Sequence, residues 1–205
     1  MRRIGITQRL LETREYIETR EALDIRWGEL FYHLSWVMIP LSYAMPLEVY
    51  VKEFALEGVI LSGGNDLNDF VSSPLNKKRD AYEKEILRYA KQHAFPLLGV
   101  CRGAQMIAYE GGSLLEFCEG HVGRHEIFWE EGGDEIIGSE HQLAIRELGA
   151  GLIPLARSCE GLVEAFRGEE APLLGMMWHP ERQDKRSAGT LKMVELFSQA
   201  LQKRD

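Results

Sequence analysis

Three side chains in this sequence have the types and placement needed to break an acyl bond. Cys101 lies in Gly99-Val100-Cys101-Arg102-Gly103, at the end of the apolar run Phe95-Pro96-Leu97-Leu98. His179 and Glu181 follow a second apolar run, residues 173–177, within Trp178-His179-Pro180-Glu181. A thiol becomes a strong nucleophile when an imidazole takes its proton, and a third group must hold that imidazole in one tautomer. On extended chain Glu181 points the same way as His179, two residues earlier, and Pro180 stiffens the link. Cys101 is therefore read as nucleophile, His179 as base and Glu181 as its orienting partner. A strand entering a glycine-flanked turn that opens a helix is a nucleophile elbow, here with sulfur in place of oxygen. The positive end of that helix favours thiolate, and the backbone N–H of Arg102 is a candidate oxyanion donor.

Such a site needs strand ends to carry it. Short apolar runs at residues 4–7, 37–40, 58–61, 96–100 and 173–177 read as buried strands. Helical patterns fall between them, at residues 21–34, 47–54, 77–93 and 102–109. A final helix is striped by Leu191, Val194, Phe197 and Leu201. This alternation predicts an α/β fold with a mostly parallel central sheet flanked by helices, with function at the carboxyl ends of the strands. Alternating runs at 126–129, 152–156 and 162–166 predict a small antiparallel sheet in the C-terminal half, and residues 10–18 read as a polar loop.

The 205 residues, 45% of them hydrophobic, suffice for one domain spanning 1–205. A formal charge of −8 with no basic cluster argues against a nucleic-acid partner. No run approaches the ~18 apolar residues of a membrane span. Three cysteines without CxxC spacing fit a reduced, cytoplasmic protein.

Gly-Val-Cys-Arg-Gly-Ala-Gln with a distal Trp-His-Pro-Glu resembles the class I glutamine amidotransferase superfamily, and nearly the whole chain fits its order of elements. The resemblance implies a flavodoxin-like fold, a Cys101–His179–Glu181 triad and no metal or organic cofactor. It sets Ser62-Gly63-Gly64 at the oxyanion strand, with the Gly64 N–H joining that of Arg102, and Gln105 against a bound γ-glutamyl group. The runs Thr7-Gln8-Arg9, Arg79-Asp80 with Glu83, and Ser139-x-His141 resemble the γ-glutamyl hydrolase branch, peptidase family C26. Within it, further runs resemble members whose small γ-glutamyl substrate is nucleotide-linked. That implies Ser139 and His141 lining the acyl site with Gly63. It also implies cations at the mouth, from Arg9, Arg20, Lys77, Lys78 and Arg79. The branch's Ser-x-His-x-Gln pattern is broken here, where Gln142 and then Leu143 follow His141. A homodimer is compatible with the resemblance. Two other readings stand beside the hydrolase: a glutaminase subunit feeding ammonia to a separate synthase, and a non-catalytic domain on the same scaffold.

Several features stay outside this reading. His121 and His125 are four apart, but the apolar residues around them suggest extended chain, where that spacing covers about 13 Å. A shared metal ion is not expected there. The acidic stretch 130–135 reads as a solvated loop, and Gly63-Gly64 without a GxGxxG or Walker spacing does not make a phosphate cradle.

Overall fold

Apolar runs this short must be covered on both faces, and in the computed structural model they are; it describes residues 1–13, 15–184 and 187–203. Five parallel strands lie side by side: β1 (Arg3–Ile6), β4 (Val37–Pro40), β5 (Gly58–Leu61), β6 (Leu97–Val100) and β13 (Leu173–Met176). Their order is β4-β1-β5-β6-β13. Every residue of β5, β6 and β13 is buried. Side chains alternate between two cores. Val59, Leu61 and Leu97 face helices α2 (Leu47–Glu53), α3 (Pro74–His93) and α4 (Arg102–Glu110). Ile60, Leu98 and Val100 face α1 (Arg26–His33) and α5 (Ala188–Gln202).

α3 starts three residues earlier than its apolar stripe suggests. Ser73 caps it by accepting from the Asn76 N–H, and Pro74 occupies the first turn, where its missing donor is harmless. α1 starts later, at Arg26, because Glu21 and Ala22 belong to a strand and the Asp24 carboxylate accepts from the Arg26 N–H.

The antiparallel strands of the C-terminal half extend this same sheet. β12 (Val163–Gly168), β11 (Leu152–Ser158), β8 (Val122–Trp129) and β9 (Asp134–Glu140) follow β13 in that order. β10 (Leu143–Glu147) branches from β12 and pairs β7 (Leu114–Phe117). A separate two-stranded antiparallel sheet lies near the N-terminus, β2 (Arg9–Glu12) with β3 (Thr19–Ala22), where a loop was expected. Only Leu10 is buried in that hairpin, so no apolar alternation announces it. Asn65 secures it instead, accepting from the Leu10 N–H and donating to the Leu10 carbonyl. The acidic stretch likewise divides: residues 130–133 turn, whereas Asp134 and Glu135 open β9. Glu135 accepts from the Ser187 hydroxyl and the Gly189 N–H. No helix among the described residues is long and apolar enough to cross a membrane.

Candidate active site

β6 delivers Cys101 directly into α4. Its backbone sits at φ 52°, ψ −108°, a region that L-residues avoid and that costs about 1–3 kcal/mol. The flanking glycines make the turn spatially feasible. A Cβ on Gly103 would stand 2.1 Å from the Leu61 carbonyl oxygen, so α4 reaches β5 only because no side chain intervenes. The Cys101 N–H donates to the Met176 carbonyl, tying the end of β6 to the strand that leads to His179.

β13 continues through Met177 and Trp178 to His179. Trp178 is wholly buried, edge-on to Trp129, which anchors the segment. His179 Nδ1 lies 2.8 Å from Glu181 Oε1, as the sequence predicts, leaving Nε2 for the sulfur side. A Cβ on Gly63 would come within 2.5 Å of His179 Cε1 and 3.4 Å of the Cys101 Cβ, so the three residues meet at one point. Burial works against the charged imidazole, yet its hydrogen bonds with Cys101 and Glu181 outweigh that. They push His179 up to about 9. The His179 ring is therefore set to rest as imidazolium near neutral pH.

Arg79 is not where the sequence puts it. Instead of facing a substrate it is fully buried, so its assignment to substrate binding is corrected. Its guanidinium pairs with Glu83 at 2.9 Å and donates to the carbonyls of Ser62, Gly63 and Gly64. Because a peptide C=O opposes the next N–H, the bond from Arg79 to the Gly63 carbonyl turns the Gly64 N–H away from Arg79. The Arg102 side chain is also buried and pairs with Asp80 and Glu83. Its backbone N–H stands in the first turn of α4, where the helix itself supplies no acceptor. Thr7 completes the support, donating to Glu83 and accepting from the Ser62 N–H.

Two cavities meet at His179. The smaller, about 240 Å³, is walled by Arg9 and residues 22–24 with Trp27, Gly63, Gly64 and Glu181. The larger, about 1000 Å³, is lined by Arg26, Arg124, Ser139, Glu140, Arg182 and Gln183 among others. Of the five cations expected at the mouth, Arg9 alone lines either cavity; Arg20, Lys77 and Lys78 do not. Arg26, Arg124 and Arg182 were not anticipated, since a lone arginine on a strand or helix start carries no motif. Arg26 is engaged by Asp24 and Arg182 by Glu140.

The remaining expectations divide. Ser139 lines the large cavity, with its hydroxyl turned to the His121 carbonyl. Gln105 lies one turn beyond Cys101, its N–H bonded to the Cys101 carbonyl and its side-chain amide donating to the Leu143 carbonyl. His141 does not line the acyl site. It is buried with His121 and Glu164 beside the half-buried His125, and these four could hold a metal ion. The expectation that His121 and His125 lie too far apart is corrected: their ring centroids are 4.5 Å apart. Gly123, at φ 113°, folds the chain between them in a way a regular strand does not.

This fold and site define a class. The architecture is that of the class I glutamine amidotransferases. It matches a Thermoplasma acidophilum protein assigned to GMP synthase with a TM-score of 0.72, at 18% identity, covering 100% of this chain and 96% of that one. A Thermotoga maritima glutamine amidotransferase gives 0.63, also at 18% identity, over 99% and 85% of the two chains. More narrowly, the chain belongs to the peptidase C26 family, whose family model matches residues 33–181. It is 41% identical over 184 residues to the γ-glutamyl-CDP-amidate hydrolase of Campylobacter jejuni, covering 88% of this chain and 90% of that protein. A glutamine-hydrolysing GMP synthase component of Methanopyrus kandleri is 30% identical over 64% of this chain and 69% of its own length.

Proposed function

We propose that this chain hydrolyses the γ-glutamyl amide bond of a small, nucleotide-linked molecule, γ-glutamyl-CDP-amidate, releasing glutamate through a thioester on Cys101. The observation that carries the reading is the convergence of Cys101, Gly63 and the His179–Glu181 pair where two cavities join. We assign the smaller cavity to the glutamyl group and the larger to the leaving group.

The thiolate attacks the γ-carbonyl carbon, and the oxygen takes the negative charge against the N–H groups of Gly64 and Arg102. The His179 imidazolium gives its proton to the amide nitrogen as the C–N bond breaks. Neutral His179 then takes a proton from water, whose oxygen attacks the thioester; the C–S bond breaks and glutamate leaves. Purified protein alone is expected to release glutamate from γ-glutamyl-CDP-amidate at least about 100-fold faster than from glutamine. That ratio needs only about 2.7 kcal/mol of extra transition-state binding. Equal, slow release from both would favour an ammonia-supplying role, the one suggested by the GMP synthase relatives, and stimulation by a synthase would then be the decisive observation.

Arg124 lines the large cavity on β8 and is the cation there that we assign to the leaving-group phosphates. Arg124→Glu is expected to raise KM for γ-glutamyl-CDP-amidate by about tenfold or more, as loss of a charge-assisted hydrogen bond would. KM for glutamine should stay as it was. An equal change for both substrates would remove Arg124 from leaving-group recognition.

A further inference from the structure

A fully buried carboxylate on a sheet strand is costly unless its oxygens are met, and Glu164 on β12 is such a group. Three imidazoles surround it. His121 Nδ1 and His125 Nε2 lie 3.1 and 3.3 Å from Oε1, and His141 Nε2 lies 3.5 Å from Oε2. None of these approaches has hydrogen-bond angles, and both Glu164 oxygens and all three nitrogens are buried without a hydrogen-bond partner. The atoms are close without pointing at one another, as donors aimed at a common centre are. Four ligands at zinc bond lengths of about 2.0–2.1 Å stand about 3.3 Å apart at the corners of a tetrahedron. The three histidine–carboxylate separations are of that size, and the four ligand atoms all lie within 4.8 Å of one another.

We propose that His121, His125, His141 and Glu164 form a structural site for a divalent transition metal, zinc by its geometry. Two of the three outer contacts agree with such a role, because a metal-bound imidazole usually gives its other nitrogen to a carboxylate or hydroxyl, whereas His141 Nδ1 is buried without one. His121 Nε2 lies 3.2 Å from Glu160 Oε2, and His125 Nδ1 lies 3.4 Å from Ser139 Oγ. Four protein ligands leave no open position, which separates this site from a water-activating one.

The position explains what the metal would do. β8 pairs β11 only through Ile127, Phe128 and Trp129, so residues 122–126 are held to the sheet by β9 alone. His121 and His125 come from that loosely attached end, His141 from the turn after β9, and Glu164 from the sheet. One ion would therefore dock the β8–β9 hairpin, whose Ser139 and Glu140 wall the large cavity, onto β12.

The test uses untagged full-length protein. Elemental analysis after dialysis is expected to show about one zinc per chain. Cobalt exchanged into the site should give the visible absorption of a tetrahedral centre, and chelation should lower the melting temperature and speed hydrogen exchange in residues 121–141. Glu164→Gln and His125→Ala should each weaken zinc binding by at least about 100-fold, and Glu160→Ala by about tenfold. His33→Ala, at an exposed helix position, should leave it unchanged. The wild-type readings stand even if a ligand variant fails to fold. Absence of stoichiometric metal, both as purified and after incubation with zinc or cobalt, would overturn the proposal. Undiminished binding by folded Glu164→Gln, or chelation that removes metal without moving the melting temperature, would do the same.

Discussion

Cys101→Ala should lower glutamate release by at least about 10⁴-fold while leaving the melting temperature within a few degrees of the parent. The rate loss follows from removing the thiol at the point where Gly63, His179 and residue 101 meet. Cys118 and Cys159 are free but lie on other segments, one half-buried and one exposed. Stability should barely change because alanine inherits the same unfavourable φ of 52° and gives up one sulfur atom. Glutamate release and a thermal melt on the same preparation decide the matter. A rate within tenfold of the parent would remove Cys101 from the chemistry.

Glu181→Gln should cost about 10²–10⁴ in kcat/KM and move the alkaline limb of the pH profile downward. In the parent, the reacting form carries its proton on His179, so kcat/KM should fall as pH rises through about 9. The Glu181 carboxylate, 2.8 Å from Nδ1, favours the charged ring; a neutral amide does not. The limb should then fall by about one pH unit or more. A large rate loss with an unmoved limb would mean that Glu181 positions the ring without setting its charge.

The meeting of residues 101, 179 and 181 was legible because they follow apolar runs, and strand ends are where an α/β sheet exposes chemistry. The parallel strands were legible for the same reason. What escaped was polar structure whose partners are remote. Arg79 read as a rim cation because a charged residue near a helix start is usually solvated. Its burial depends on Glu83 one turn on and on three carbonyls about 15 residues back. The β2–β3 hairpin hides in a polar stretch because Asn65 secures it. The four residues around Glu164 come from separate segments, and strand spacing set His121 and His125 apart; Gly123 between them was the available clue.

The contorted linkage at Cys101 has a practical corollary for directed evolution. Glycine tolerates that geometry freely, at an entropic cost of about 0.5–1 kcal/mol, less than the strain it would relieve. A library sorted only for survival of heating should therefore enrich Cys101→Gly and yield sturdy, inert protein. Only a screen that counts product will keep sulfur at that position.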